Sequence, residues 1–451
     1  MPHRVHPDVI IVGAGLAGLA CAVRLTDAGK KVMILEAERI VGGRTASWRD
    51  GSSVIESGLH RWLGFYKALP DLLAHVGANH NDLIVWEDVF YMMSPGQPTA
   101  EFTVAPLFKP IETLGTAIRG GGWLGAEDMK QAVKFMSYGL QKILDDPAVM
   151  DRHTVSEIFV ASGCTSRVLQ RIMQALCQGI FFLPMEQFSA YAFFQLMVHA
   201  LRRANRLRIG SFAGGMTTVL AEPLARYVEA HGGEIVLDTK VKMIEREANG
   251  FVVAHKWGEL HVAELVLATP LGVTQDLLRD LVTDDPWFAP FMQMTTAPAV
   301  SVQLELERPA FDHDRVVFVS GTDIASMAEQ SRTTFSSSQG RLSVLMAEPA
   351  FWVDASRRQL EESIRRSFDT LGEDLPKIMK THIVRHAHDF YALAPGNQTK
   401  RPPQRTPIDG LYLTGDYTQQ SYLATMEGAV VSGNLAAKAV LKARALPPHI
   451  Q

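Results

Sequence analysis

The chain has 451 residues, with 44 Lys and Arg against 48 Asp and Glu, so its formal net charge is −4 at pH 7. This balance lacks the basic excess of a nucleic-acid-binding protein, and no nucleic-acid partner is expected. Three cysteines are too few for a disulfide framework or a cysteine-built metal site, and no metal is predicted. No stretch reaches the roughly 20 apolar residues that a membrane-spanning helix needs. Because the polar N-terminus also lacks a signal-peptide layout, we expect a cytoplasmic protein that is still able to lie peripherally on a membrane.

The first fifty residues have the pattern of a dinucleotide-binding unit. An apolar run at residues 8–12 predicts a strand that is buried on both faces of a parallel sheet. The turn GAGLAG, from Gly13 to Gly18, leads into a predicted helix over 19–28 and a second strand over 31–35 that ends in Glu36. In such a unit the first glycine permits the tight turn, Gly15 lets the backbone approach a pyrophosphate, and Gly18 lets helix and strand pack closely. The acid is placed to hold ribose hydroxyls.

A second glycine turn follows after a short loop. Gly42 and Gly43 again allow close backbone approach, and Arg44 is suited to pairing with a phosphate. A nicotinamide dehydrogenase has no need of this second element. Further along, the segment Glu56-Ser-Gly-Leu-His60 follows a predicted turn. No nearby carboxylate in the sequence orients His60, so a structural or cofactor-packing role is favoured over a catalytic one.

The middle of the chain combines strand-like and helical segments. Strands are predicted at 232–238, 241–245, 250–254 and 264–270, and residues 111–207 are predicted to be mainly helical. The aromatic and Met-rich stretch 181–198 fits a buried helix or the wall of a long apolar pocket, two interpretations that overlap because most binding sites are apolar. Two segments, 106–111 and 120–124, pair apolar residues with Lys109 and Arg119. That composition is typical either of a loop that dips into a membrane or of a plain surface loop.

The last fifty residues contain a further motif. A short strand at 410–414 follows a Pro- and Arg-rich connector at 400–407, and Gly415 and Asp416 come next. Residues 422–440 predict a helix whose small residues allow close packing against another element. Its N-terminal end, near Met426, would present N–H groups and the positive end of the helix dipole.

These motifs together resemble the flavin-containing amine oxidase and carotenoid desaturase superfamily. The segment GDYTQQSYLATMEGAVVSG, which begins at Gly415, looks like the C-terminal motif of plant- and cyanobacterial-type phytoene and zeta-carotene desaturases. Amine oxidases commonly have Gly-Glu at this place, and members with covalent flavin supply a Cys that this region lacks. The resemblance implies an FAD cofactor, with Asp416 near a ribityl hydroxyl and the helix start at Met426 stabilising anionic reduced flavin. The residues implied as FAD contacts are Gly13, Gly15, Leu16, Ala17, Gly18, Glu36, Ala37, Gly43, Arg44, Gly58, Leu59, His60, Val241, Gly415, Asp416 and Met426.

The same resemblance implies an α/β fold of two interleaved domains. A Rossmann-like FAD-binding domain would combine residues 1–75, 208–275 and 405–451. A substrate domain of α+β type would combine residues 76–207, mainly helical, with residues 276–404. None of the arginines at 202, 203, 206 and 208 is assigned a role at the pocket.

The implied activity is that of an FAD-dependent oxidoreductase. It would be a desaturase that removes hydrogen from a lipophilic isoprenoid by hydride transfer to flavin N5, with no catalytic residue assigned beyond the flavin. Membrane quinone is the expected electron acceptor, and oxygen is the alternative. A hydroxysqualene dehydroxylase-type flavoenzyme would share all the cofactor motifs. An amine oxidase that uses oxygen, or a flavin-binding scaffold without turnover, is the other alternative.

Overall fold

The computed structural model describes residues 7–87, 89–103 and 123–443. In chain order its strands are β1 Val9–Val12, β2 Val32–Leu35, β3 Ser47–Asp50, β4 Ser53–Glu56, β5 Trp62–Leu63, β6 Ile84–Glu87, β7 Val89–Met93, β8 Ala100–Thr103, β9 Ile209–Phe212, β10 Glu234–Val236, β11 Val241–Glu247, β12 Gly250–His255, β13 Gly258–Val262, β14 Glu264–Leu267, β15 Thr296–Leu306, β16 Val317–Val319, β17 Ile324–Glu329, β18 Gly340–Met346, β19 Ile378–Tyr391 and β20 Leu411–Leu413. Its helices are α1 Leu16–Asp27, α2 Ala68–His75, α3 His80–Leu83, α4 Ala126–Asp145, α5 Pro147–Met150, α6 Val155–Ala161, α7 Arg167–Phe181, α8 Ala190–Arg202, α9 Glu222–Ala230, α10 Leu271–Leu278, α11 Ala289–Met292, α12 Pro349–Trp352, α13 Arg357–Leu371 and α14 Met426–Ala443.

A parallel sheet with strand order β10-β2-β1-β14-β20 organises one part of the molecule. Its central strand β1 consists only of Val and Ile and is buried at every residue, as expected for β-branched side chains on a sheet covered on both faces. Val9 and Ile11 pack in one core with helices α1 and α14. Ile10 and Val12 pack in another core with Phe251, which belongs to the antiparallel sheet β11-β12-β13.

The strands of the parallel sheet come from three distant stretches of the chain, at 9–35, 234–267 and 411–413. Each lies within one of the three segments assigned from the sequence to the nucleotide-binding domain. Helices pack on this sheet, with α1 against β1 and β2 and α14 against α1 and β20. The predicted α/β class is therefore confirmed.

A mixed sheet with strand order β19-β15-β18-β17-β16-β7-β8 organises the second part. Its pairs are antiparallel except for β16 and β7. Helix α13 packs Leu360, Ile364 and Phe368 into the core beneath it. Because β6, β7 and β8 lie between residues 84 and 103, the mainly helical character predicted for 76–207 applies to the described residues from 126 onward.

The aromatic stretch 181–198 spans the end of α7 and most of α8. Phe188, Phe193 and Phe194 are buried, and the rings of Phe181 and Phe188 stack at 4.8 Å. A Cβ on Gly139 of α4 would overlap the ring of Phe194, so this glycine lets the two helices approach. The interpretation of the stretch as helix core thus holds for these residues.

The residues that the structure describes include no helix that is both long and apolar enough to cross a membrane. The segment 106–111 and most of 120–124, which suggested contact with a membrane surface, lie outside the described residues.

Candidate functional site

The loop between β1 and α1 forms the first part of the site. Gly13 has a φ of +107°, and a Cβ there would lie 2.9 Å from the Ala268 carbonyl oxygen, so this position requires glycine. A Cβ on Gly18 would overlap the Gly13 carbonyl oxygen. A Cβ on Gly15, in contrast, would meet nothing within 4 Å. The first turn of α1, which starts at Leu16, has no side-chain cap, so its N–H groups are available to an anion in this open space.

Glu36, at the end of β2, is buried beside the same loop. Its Oε2 accepts a hydrogen bond from the Ala14 N–H at 2.6 Å, and its Oε1 accepts one from the Glu38 N–H at 2.9 Å. Burial raises the pKa of the Glu36 carboxyl, and these hydrogen bonds oppose the rise. The Thr239 N–H donates to the Glu36 carbonyl at 2.7 Å, which brings the segment leading to Val241 next to this acid.

The second glycine turn packs directly on the first. The Gly42 N–H donates to the Ala14 carbonyl at 2.9 Å, and Gly42 forms a bridge with Gly15. Gly43 has a φ of +56°, and a Cβ there would lie 3.3 Å from the Gly15 Cα. Two turns that are separated in the sequence therefore border one space.

Arg44 and Asp416, each predicted to contact the cofactor, pair with each other. The Arg44 Nη2 donates to Oδ1 at 2.6 Å and its Nη1 donates to Oδ2 at 3.1 Å. Burial works against the positive charge, yet Asp416 holds the pKa of Arg44 above its ordinary value. A guanidinium has five N–H donors and a carboxylate accepts more than two hydrogen bonds, so this pair retains capacity for a ligand.

The C-terminal motif joins the site through the sheet. The Thr414 N–H donates to the Leu267 carbonyl at 2.8 Å, and the Gly415 N–H donates to Ser432 Oγ of α14 at 3.0 Å. Helix α14 begins at Met426, as predicted for its N-terminal end. Its Gly433 lies against α1 so closely that a Cβ would overlap the Ala17 carbonyl oxygen.

Arg401 is a buried arginine that sequence reasoning missed. It is 2% exposed, and its guanidinium donates to four backbone carbonyl groups, those of Asp416, Tyr417, Thr418 and Gln420. It thereby shapes the loop that presents Asp416. An arginine in a Pro- and Arg-rich connector gives no signal in the sequence that would single it out.

The predicted residues Gly58, Leu59 and His60 follow Ser57, whose Oγ donates to the Arg44 carbonyl. The Nδ1 of His60 lies 3.1 Å from the Gly58 carbonyl oxygen. Burial lowers the pKa of His60 to about 4, so this imidazole is neutral at pH 7. The preference for a packing role is consistent with a neutral, buried ring, although no measurement here assigns it one.

A His–Asp pair from β19 lies behind this loop and was also missed. The Nε2 of His386 is 2.8 Å from the Ser57 carbonyl oxygen, and its Nδ1 is 2.6 Å from Asp389 Oδ2. The hydrogen bond from His386 lowers the pKa of the Asp389 carboxyl. The next residue, Phe390, has its ring 5.1 Å from the Arg44 guanidinium and 4.8 Å from the ring of Phe182. The aromatic stretch 181–198 therefore reaches Arg44.

Glu56 places a titratable group in this part of the structure. Its Oε1 has no hydrogen-bond partner among the described residues, and its Oε2 accepts a hydrogen bond from Gln330 at 3.3 Å. Burial raises the pKa of Glu56 to about 7, despite the nearby charges of Arg61 and Arg341. The carboxyl thus changes its protonation near neutral pH.

Comparison with known families identifies this arrangement. Residues 16–441 match the family described as flavin containing amine oxidoreductase. The chain belongs to that family. Members of the flavin-containing amine oxidoreductase family are flavin enzymes, so the protein is a flavin oxidoreductase, and the resemblance drawn from the glycine turns and the C-terminal motif is confirmed.

Curated relatives of this flavin-containing amine oxidoreductase match nearly its whole length. It is 27% identical over 464 residues to 15-cis-phytoene desaturase of Solanum lycopersicum, a match that covers 98% of this chain and 79% of that protein. It is 26% identical to 15-cis-phytoene desaturase of Synechococcus elongatus, covering 96% of this chain and 95% of the relative. A probable zeta-carotene desaturase of the same organism is also 26% identical, with coverage of 97% and 99%.

Solved structures with the same fold include amine oxidases. Cyclohexylamine oxidase from Brevibacterium oxydans superposes with a TM-score of 0.71 at 17% identity, covering 98% of this chain and 100% of that one. Putrescine oxidase superposes with a TM-score of 0.73 at 17% identity, with coverage of 97% and 99%. At such identities the likeness concerns the fold.

Proposed function

We propose that the protein is an FAD-dependent desaturase that removes hydrogen from a lipophilic isoprenoid of the carotenoid-precursor type. The observation that carries this proposal is the relationship over nearly the full length to phytoene and zeta-carotene desaturases. The surroundings of Arg44 agree with it, because Phe390 and Phe182 place aromatic rings there. A hydrocarbon substrate needs such an apolar approach rather than the charged anchors that a polyamine would need.

The residues of the site fit FAD. The open space over Gly15 and the uncapped first turn of α1 suit a pyrophosphate. Glu36 uses its carboxylate to hold Ala14 and Glu38, and it keeps lone pairs for ribose hydroxyls. We assign the remaining contacts to the residues predicted from the sequence, with Asp416 at the ribityl chain and the N-terminus of α14 at the flavin ring.

The reaction would take a hydride and a proton from neighbouring carbons of the isoprenoid. FAD, when bound, supplies a hydride acceptor at N5. The protein positions and shields the reactants: the Arg44–Asp416 pair fixes the loop at the site, and Phe182 and Phe390 exclude water beside it. No side chain is assigned as the base.

The substrate class also bears on where the protein works. A water-insoluble isoprenoid resides in a membrane, so we propose that the protein docks on a membrane surface to collect it and passes electrons to a membrane quinone. The support for this docking is the chemistry of the proposed substrate.

Anaerobic reduction of the bound flavin tests the substrate class. Protein with its flavin loaded would be mixed with phytoene, zeta-carotene, hydroxysqualene, cyclohexylamine or putrescine, and the flavin absorbance near its visible maximum would be followed. We expect phytoene or zeta-carotene to bleach the flavin and both amines to leave it oxidised.

Other outcomes of this panel would contradict the proposal. Bleaching by hydroxysqualene alone would assign the protein to the dehydroxylase type. Bleaching by amines alone, with regeneration by oxygen, would make it an amine oxidase. No bleaching by any compound, with flavin firmly bound, would favour a flavin-binding scaffold.

A further inference from the structure

A separate cleft of about 670 Å³ lies beside the sheet β5-β9-β6. Its walls include Trp62 of β5, Trp86 of β6, His80 at the start of α3, and the segment that carries Arg206 and Arg208. None of its lining residues belongs to the predicted flavin site. The volume is in the range of sites for small ligands, roughly 300–1,000 Å³.

Two arginines give this cleft a positive charge without a partner. Arg206 and Arg208 line it, and no Asp or Glu does so among the residues that the structure describes. Within the same described residues, neither guanidinium forms an ion pair or a side-chain hydrogen bond. In contrast, the neighbouring Arg203 is engaged, since it donates to the carbonyl groups of Phe65 and Tyr66 at 3.1 and 2.8 Å. The free charges are therefore specific to the two residues that face the cleft.

The arginines are held on a fixed frame. The guanidinium carbon of Arg208 lies 3.7 Å from the ring centroid of Trp86, so stacking orients it. The Gly64 N–H donates to the Arg208 carbonyl at 2.9 Å, and a Cβ on Gly64 would overlap the Arg206 carbonyl oxygen. The backbone of the arginine segment is thus pinned to the chain that follows β5. Such preorganisation lowers the entropy lost when a ligand binds.

Uncharged polar groups complete the lining. The ring of His80 stacks on buried Trp62 at 5.9 Å, and burial together with Arg206 and Arg208 lowers the pKa of His80, which keeps this imidazole neutral. The side chains of Asn81 and Asn205 also line the cleft and carry amide donors. A ligand here meets two positive charges and several neutral donors.

We propose that this cleft binds a phosphate-bearing ligand, with Arg206 and Arg208 as its anchors. Guanidinium groups recognise phosphate through paired hydrogen bonds, and the absence of a lining carboxylate leaves both charges for the ligand. A soluble organic phosphate and a phospholipid headgroup share this chemistry. The assignment is independent of the proposed desaturase activity.

Isothermal titration calorimetry on flavin-loaded protein tests this site. Inorganic pyrophosphate would probe soluble phosphates, and dihexanoyl phosphatidic acid below its critical micelle concentration would probe the lipid headgroup. We expect at least one of the two to bind with a stoichiometry of one. The double variant Arg206→Gln, Arg208→Gln should weaken that binding about tenfold or more, because two charge-assisted contacts are lost. The probe that binds more tightly identifies the source.

A matched control is available on α13. The double variant Arg365→Gln, Arg366→Gln removes the same charge from an exposed helix and should bind as the wild type does. Flavin content would verify folding of each variant, and the single variant Arg206→Gln serves if the double one does not fold. The proposal is overturned if neither probe binds, or if binding is equal in the wild type and the Arg206/Arg208 variants.

Discussion

Gly15 and Gly18 lie three residues apart in one turn, yet their surroundings differ. A Cβ on Gly15 would enter open space, whereas a Cβ on Gly18 would overlap backbone. We predict that Gly15→Ala folds normally but loses flavin, because its methyl group occupies the space proposed for the pyrophosphate. Gly18→Ala should lose about 1–3 kcal/mol of stability or more from overpacking. Thermal unfolding and the ratio of flavin to protein measure both effects, and full flavin retention in Gly15→Ala would place the cofactor elsewhere.

Glu56 predicts a dependence of stability on pH. Its folded-state pKa of about 7 lies above the ordinary value of 4.5, so between these values the native state holds a proton that the unfolded state releases. Stability should therefore be greatest below about pH 4.5 for this group and fall as the pH rises towards 7, by at most about 3 kcal/mol. Glu56→Gln keeps the shape and removes this titration.

Urea unfolding of the wild type and Glu56→Gln at several pH values measures the effect. The difference between the two proteins should change across the window from pH 5 to 7, whereas the exposed control Glu229→Gln should run parallel to the wild type. A difference that is constant with pH would mean that Glu56 is ionised throughout.

At the scale of elements, the contact between α1 and α14 ties the N-terminal turn to the C-terminal motif. Gly433 lies against the backbone of Ala17 and the side chain of Ala20. We predict that Gly433→Ala pushes the helices apart, lowers the free energy of unfolding by about 1–3 kcal/mol and weakens flavin binding. Lys438→Ala, on the exposed face of α14, is the control. Equal stability and flavin affinity in both variants would show that this contact is dispensable.

The sequence predicted elements well where local pattern decides them. The apolar run of β1 and the glycine turn after it were located correctly, because burial on both faces and the turn each demand particular residue types. The C-terminal helix was predicted from residue 422 but begins at Met426. The loop before it is held by Arg401, a tertiary interaction that residue composition does not reveal.

Other parts of the site depend on strand register and could not be predicted. His386 and Asp389 lie on β19, and their position behind Ser57 follows from the pairing of that strand with β15. Glu56 belongs to a motif visible in the sequence, but its burial comes from Gln303 and Gln330 of the mixed sheet. Only the folded chain brings these groups together.

At the scale of the whole molecule, the flavin site is built from residues as far apart as Gly13 and Asp416. The parallel sheet draws its strands from three stretches of chain, and we propose the domain boundaries near residues 75, 207, 275 and 404. Buried polar contacts join the two sheets, since Arg341 of β18 donates to the Val54 carbonyl of β4 at 2.6 Å. A substrate pocket between such parts would be lined by both, which is why pattern along the chain left it undefined.

The most direct test of the central claim is an anaerobic single turnover with phytoene. Flavin-loaded protein in excess would be mixed with the substrate, and both the reduced flavin and the extracted product would be quantified. We predict one new carbon–carbon double bond for each flavin reduced. Flavin that stays oxidised with phytoene and with zeta-carotene, while an amine reduces it, would contradict the account.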